Sequence, residues 1–405
     1  MTRPFEQVDV LVAGAGPGGS AVATLLAGLG LRVLAVDGAR FPREKACSEF
    51  MSPAAVAVLD RLGVLDDLDA HGAHPAGTSV ITGRGGALAG RFAPSAGGRF
   101  RGAGLSVARR VLDQRLVEAA RAAGAEVREA VTVRDLLYDG GSVAGAVVAG
   151  ADGTLHAIRA RLTIGADGLR SIVARRLGPR RHGAPHRMAF VAHVAGVRDL
   201  GDLAEMHVGP DGYVGLNHIG GGVANVALVV PQRAAAAARG DAAGFFHRQL
   251  ARYPGVAGRV DQGGVVREVM VTGPFAARSS RVVADGALLL GDAAEFFDPF
   301  TGEGIYRALR GAELAATVAA RAMDRGTSPT RQALRPYVLA RRAEFAGHWA
   351  VEWIIGWMMH APALFDRAVR RIESRGLADR LIGVTGDLLP AGAVLSPAFL
   401  FRTLL

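Results

Sequence analysis

Lysine is almost absent from this chain. Of 405 residues only Lys45 is a lysine, although Lys and Arg together number 47 and the net charge is +10. The arginines are scattered rather than gathered into a stripe, which argues against recognition of specific nucleic acid. A coding bias explains them first, and attraction to anionic lipid or a phosphorylated substrate second. Cysteine is equally scarce. Cys47 stands alone, so an internal disulfide and a thiolate-based metal cluster are both excluded, and a reducing cytoplasm fits. Long apolar runs are missing too: Trp353 to Phe365 comes nearest, but it is too short to span a bilayer and contains His360 and Pro362. The first apolar run is preceded or interrupted by Glu6 and Asp9, unlike a secretory signal. These absences predict a cytoplasmic protein, soluble or membrane-peripheral, and 50% hydrophobic content describes a globular chain of two or three lobes.

What is present begins with Val8 to Asp37. Val8, Val10, Leu11 and Val12 form an apolar run suited to a buried parallel strand. The turn Gly14-x-Gly16-Pro17-Gly18-Gly19 follows at once, then an Ala/Leu-rich helix, then a second strand from Leu31 to Val36 that ends in Asp37. Gly14 allows the tight turn, Gly16 lets the backbone approach a pyrophosphate, and Gly19 lets the helix pack closely on the strand. The free N–H groups of the helix start face the phosphates, and an acid at Asp37 can hold a ribose hydroxyl. A glycine turn that binds nothing is the plainer reading, and the strand–turn–helix–strand context argues against it.

The rest of the chain is interleaved. A helix is expected over 54–68 and an amphipathic helix over 109–123. A hairpin centres on Asp139-Gly140-Gly141, a helix is expected over 234–252, and a long one runs from Ile305 to Met323. Short alternating strands fill 76–107 and much of 181–275. The expected organisation is therefore a nucleotide-binding lobe from 1–75, 108–180 and 276–330, a substrate-binding sheet from 76–107 and 181–275, and a helical C-terminal cap over 331–405.

Two later motifs carry chemistry. Gly165-Ala166-Asp167-Gly168 precedes Ser171, and Gly291-Asp292-Ala293-Ala294 precedes Pro299 and Gly302-Glu303-Gly304-Ile305. A strand end puts Asp292 where a carboxylate can accept hydrogen bonds from a polyol chain. Gly302 and Gly304 let backbone approach a planar ring at a helix start, whose dipole would favour an anionic reduced ring.

Taken in order, these three fingerprints resemble the flavoproteins with the glutathione-reductase-type FAD fold, over roughly residues 5 to 325. The resemblance implies an α/β fold with a Rossmann-like FAD-binding lobe, non-covalent FAD, and an arginine on the phosphates. Arg109 in Arg-x-x-Leu-Asp matches that arginine; Arg110 competes, and an exposed helix-start arginine is the plainer reading. Where aromatic hydroxylases carry a histidine and Gly-Gln-Gly, this chain has Glu295 and Gly302-Glu303-Gly304, similar to the geranylgeranyl reductases. Phe41 to Cys47 resembles their Pro-Arg-x-Lys-x-Cys loop, departing from it at Ser48-Glu49. The flavin halogenase Trp-x-Trp-x-x-Pro signature is absent.

The resemblance implies reduction of C=C bonds in an apolar isoprenoid or polyketide-derived substrate by hydride from reduced flavin. The alternative is a flavin monooxygenase acting on an aromatic or polyketide substrate. No second dinucleotide fingerprint is present, so NAD(P)H or another external reductant, or a redox partner, supplies electrons. In such reductases the cysteine matching Cys47 lies at the active site, and Arg43 and Lys45 would favour its thiolate; burial as a small hydrophobe is the plainer reading. Cys47 is the first candidate proton donor and Glu49 the second. His193 and His207 read as ordinary strand residues, and no metal ligand set is expected. In the cap, Trp349, Trp353, Trp357, Met358, Met359 and Phe365 are expected to line an apolar tunnel or to pack on the core.

Overall fold

The computed structural model describes residues 6–94, 100–184, 186–209, 211–323 and 326–404. Its first layer is built on the strand Glu6–Ala13, in which Val10, Leu11, Val12 and Ala13 are fully buried. Continuous burial is what a central parallel strand requires. Leu155–Gly165 pairs with it on one side and Val33–Asp37 on the other, both parallel, with Val12 opposite Ile164 and Ala35. Ala287–Leu289 and Glu126–Glu129 extend the sheet in parallel, and the hairpin of Thr132–Asp139 and Ser142–Ala149 attaches to the outer half of Leu155–Gly165.

The helix Pro17–Gly28 begins directly at the glycine turn, with Gly16 at its N-cap and no side chain capping it. Nine of its twelve residues are buried, because Arg109–Ala122 and the long helix Gly304–Met323 pack against it. Glycines permit these close approaches: a Cβ on Gly18 would lie 3.1 Å from the Ala308 carbonyl oxygen of the long helix, and one on Gly19 1.8 Å from the Gly14 carbonyl oxygen of the turn.

The second layer is a seven-stranded sheet in the order Val265–Thr272, Arg187–Ala195, Val223–Pro231, Gly212–His218, Ala204–Gly209, Gly77–Thr82, Ala87–Arg91. All its pairings are antiparallel except Ala204–Gly209 with Gly77–Thr82. One face packs on the helix Ala242–Leu250 through Phe245, Phe246 and Leu250. The other turns toward the first layer.

The C-terminal helices Arg331–Met358, Pro362–Ser374, Ala378–Thr385, Gly392–Leu395 and Pro397–Leu404 close the molecule, and two of them lie on Ala87–Arg91. No helix among the described residues is long and apolar enough to cross a membrane.

Two expected helices are broken. The 54–68 stretch forms Pro53–Arg61 and Leu65–His71, because Gly63 adopts φ +71 and stops the first. The 234–252 stretch is split between a short turn of helix and Ala242–Leu250, where Asp241 caps a new start through Gly244 N–H.

Candidate active site

A cavity of about 520 Å³ runs from the glycine turn to the inner face of the seven-stranded sheet. Its floor at one end is Gly14, Gly16, Pro17 and Gly18. Gly14 holds φ +96, and a Cβ there would sit 2.5 Å from Ala166 O, so the first and second motifs touch through this glycine. A Cβ on Gly16 would point at Arg43 Nη2, 3.2 Å away, and Arg109 Nη2, 3.9 Å away. Two guanidinium groups thus stand over an uncapped helix N-terminus, an arrangement made for a diphosphate. Asp113 neutralises part of that charge: it accepts two 2.8 Å bonds from Arg109 and pairs with Arg43 at 3.1 Å. Arg43 Nε remains buried with no partner. At the edge of the turn, Asp37 accepts from Ala15 N–H at 2.9 Å and Ala39 N–H at 2.8 Å while still facing the cavity.

The middle of the cavity is lined by Lys45, Gly168, Gly291 and Asp292. Burial pulls the Lys45 amine below its ordinary pKa, reinforced by the charge of Arg109, while Asp292 opposes that shift. Burial likewise raises the Asp292 carboxyl, against the pull of Lys45, Arg109 and Arg180. The two groups therefore stabilise each other's charged forms across the cavity. Asp167 also borders it, but both its oxygens are engaged locally: Ser171 Oγ donates to one and Ile172 N–H to the other.

At the far end the turn Pro299-Phe300-Thr301-Gly302 brings Gly302, Gly304 and Ile305 to the wall. Gly302 holds φ +73, and a Cβ there would lie 2.9 Å from the Phe50 ring. Glu303 turns away from the cavity into a buried group with Arg307, His348, Glu352 and Asp387, although the sequence reading placed it with the cofactor ligands. Beyond the turn the walls are apolar: Ala189, Val191, Ala227, Val229, Met206 and Phe275.

Cys47 lines the cavity and lies against the Arg109 guanidinium, whose charge Asp113 sustains despite burial. Glu49, the second proton-donor candidate, does not line it. Glu49 adopts φ +59, which swings its fully buried carboxylate behind the loop. There Oε1 accepts from Arg109 N–H at 2.8 Å, while Oε2 shares a 2.6 Å hydrogen bond with His193 Nε2 and accepts from Asn225 at 2.9 Å. Asn225 also donates to Cys47 O at 2.7 Å. His193 is therefore a strand residue that also holds the Cys47 loop through Glu49. Arg43 and Lys45, expected beside Cys47 as charges favouring its thiolate, also line the cavity itself. Sequence reasoning missed Asp298, which receives Tyr213 Oη at 2.6 Å and Arg187 at 2.9 Å.

The expected cap tunnel is not formed by tryptophan. Trp353 and Trp357 are 60% and 59% exposed, and Trp349 packs beside Phe345. Met358 and Phe365 instead line a separate apolar cavity of about 100 Å³.

The donor set matches FAD: two arginines and free helix N–H groups for a diphosphate, carboxylates for the sugar and polyol hydroxyls, and a glycine turn for a flat ring. Comparison with known proteins agrees. Residues 7–342 match the FAD binding domain family. The chain is 34% identical over 328 residues to digeranylgeranylglycerophospholipid reductase 2 of Methanopyrus kandleri, covering 78% of each chain. It is 31% identical over 326 residues to menaquinone reductase of Mycolicibacterium smegmatis, covering 76% of each. Among solved structures, a geranylgeranyl bacteriochlorophyll reductase-like protein of Thermoplasma acidophilum superposes with TM-score 0.79 at 22% identity, over 98% of this chain and 99% of the other. The flavin-dependent brominase Bmp2 superposes with TM-score 0.80 at 21% identity, over 94% of each. The chain belongs to the FAD-binding family that includes these reductases and is an FAD-dependent oxidoreductase.

Proposed function

We propose that this protein reduces C=C bonds in an apolar substrate carrying an isoprenoid chain, either a prenylated lipid or a prenylated quinone. One observation carries the reading: the cavity joins a dinucleotide-binding turn to walls made of Ala189, Val191, Ala227, Val229, Met206 and Phe275, with Cys47 on the same lining. The names of the relatives support the substrate class.

When bound, FAD supplies the hydride for one alkene carbon. In this reading Gly14, Gly16 and Gly18 accommodate the diphosphate under Arg43 and Arg109, Asp37 takes the adenosine ribose, and Asp292 takes the ribityl chain. Gly19 serves helix–strand packing, and Asp167 with Gly168 shapes the second-motif turn. Gly291, Pro299, Gly302, Gly304 and Ile305 form the ring-side wall. Glu303 anchors that wall from behind. Cys47 gives the proton that completes reduction at the second carbon, and Arg109 beside it stabilises the thiolate left behind. Glu49, His193 and Asn225 hold the Cys47 loop in place. NAD(P)H or a redox protein restores the reduced cofactor from outside. The substrate resides in lipid, which makes contact with a membrane surface part of the reading.

The test is single-turnover. Enzyme reduced under argon is mixed with a prenylquinone or a prenylated glycerolipid, and the return of oxidised-flavin absorbance is followed. Reoxidation with saturation of one double bond is expected. Turnover that occurs only after oxygen is admitted would replace this reading with a monooxygenase.

A further inference from the structure

Trp353 and Trp357 stand one helical turn apart on Arg331–Met358, and both are about three-fifths exposed. Large aromatics in that position are unusual for a helix whose other faces are packed. Their neighbours in sequence, Ile354 and Met358, form the adjacent ridge of the helix and line the small apolar cavity. The opposite wall of the same cavity is Phe399 and Leu400 of the last helix, and the next residue, Phe401, is 64% exposed. Trp353 and Trp357 thus flank cavity-lining Ile354 and Met358 along one helix, and Phe401 follows cavity-lining Leu400 on another. Among the described residues Thr403 is the only polar one lining the cavity, and its hydroxyl donates internally to Phe399 O at 3.0 Å. Inward, Phe300 lines the same cavity and packs edge-on against Tyr213 of the active-site cavity, centroids 5.0 Å apart.

We propose that this face of the C-terminal helices docks the protein on an anionic lipid bilayer, with Trp353, Trp357 and Phe401 at the level of the headgroups. Tryptophan suits that level because its ring is apolar and its N–H is polar. The sign of the lipid charge follows from the same helices. Arg367, Arg375 and Arg402 are exposed and have no carboxylate partner among the described residues, and the chain as a whole carries +10. Basic groups on helices that also present apolar rings favour a negatively charged surface. A second copy of the chain fits less well, because a two-fold contact would bring these arginines against each other. The inference rests on the proposed reduction of a lipid-resident substrate, and it gives that substrate an apolar route from the bilayer toward Tyr213.

The holoprotein should co-sediment with phosphatidylglycerol vesicles and much less with phosphatidylcholine vesicles, and its tryptophan emission should shift to the blue. Trp349 is already packed, so that shift reports the two exposed rings. Trp353→Ser with Trp357→Ser should weaken phosphatidylglycerol binding roughly 10-fold or more while retaining FAD and thermal stability, and Phe401→Ser should weaken it independently. Binding that is absent in the parent, or equal in the variants, overturns the proposal. So does a dimer in solution that the variants split, since the face would then belong to a second copy. A detergent-dispersed short-chain prenylquinone separates this inference from the reductase reading. Failure on that substrate with vesicle binding intact sinks the reductase reading alone. Turnover of it without vesicle binding sinks the docking alone.

Discussion

His193 Nε2 lies 2.6 Å from Glu49 Oε2, and both side chains are at least nine-tenths buried. The contact ties the strand Arg187–Ala195, second from the edge of the seven-stranded sheet, to the loop that carries Cys47. Asn225 stands opposite His193 in the sheet register and completes the tie through Cys47 O.

Removing one partner of a buried polar pair leaves the other without compensation. Glu49→Ala should therefore cost about 3 to 5 kcal/mol of stability. Glu49→Gln, which keeps the volume and one acceptor oxygen but exchanges the other for a donor NH2, should cost less. Because Cys47 is held through the same group, Glu49→Gln should also slow substrate-driven flavin reoxidation while leaving flavin reduction by the external donor unchanged. Denaturant titration and stopped-flow absorbance read the two effects separately. Equal slowing of both half-reactions would mean that the tie supports the whole cofactor site and not the Cys47 loop.

Gly14→Val should abolish FAD retention. At φ +96 a branched side chain is strained, and its Cβ would press to 2.5 Å from Ala166 O, so the first and second motifs must separate. The flavin-to-protein absorbance ratio after gel filtration checks this. Normal occupancy would place the diphosphate elsewhere.

The glycine motifs were legible because backbone geometry demands glycine at those points; the same demand makes Gly14 and Gly302 readable in the sequence and strained under substitution. The presence of a parallel and an antiparallel sheet was legible from unbroken apolar runs and alternating ones. Glu49 was not. Its place two residues after Cys47 suggests a shared active face, yet φ +59 reverses the chain there. His193 lies 144 residues from Glu49; strand parity indicates its inward face but cannot name a partner so distant. Likewise helical period puts Trp353 and Trp357 on one face, and only the packing of residues 362–404 decides that this face is outside.

Glu352 sits among Glu303, Asp387, Arg307, His348 and Thr301, and burial raises its carboxyl to about 8. The folded protein thus holds a proton that the unfolded chain releases above about 4.5. Between those values the native state binds more protons, so this group's contribution to stability is present at low pH and is lost as pH rises toward 8. Burial raises Asp387 too, adding to the same trend. Thermal unfolding from pH 5 to 8 should therefore show a smaller decline in Tm for Glu352→Gln than for the parent. Parallel curves would show that Glu352 is ionised throughout.

Cys47 separates a packing role from a chemical one. It is half-buried, so Cys47→Ala should lower stability by roughly 1 kcal/mol or less. As the proton donor to the second alkene carbon, it should matter in one step only. Cys47→Ala and Cys47→Ser should bind FAD and accept electrons at normal rates, yet reoxidation by substrate should slow by about 10²-fold or more, the scale of general acid catalysis. Cys47→Ser tests the thiol beyond its volume, because a serine hydroxyl beside Arg109 does not ionise as a thiol does. The measurement requires prereduced enzyme mixed with substrate under argon, so that oxygen does not consume the reducing equivalents. Glu49 has no access to the cavity and cannot substitute directly. Unaltered reoxidation in Cys47→Ala would therefore leave water as the proton source and reduce the thiol to packing against Arg109.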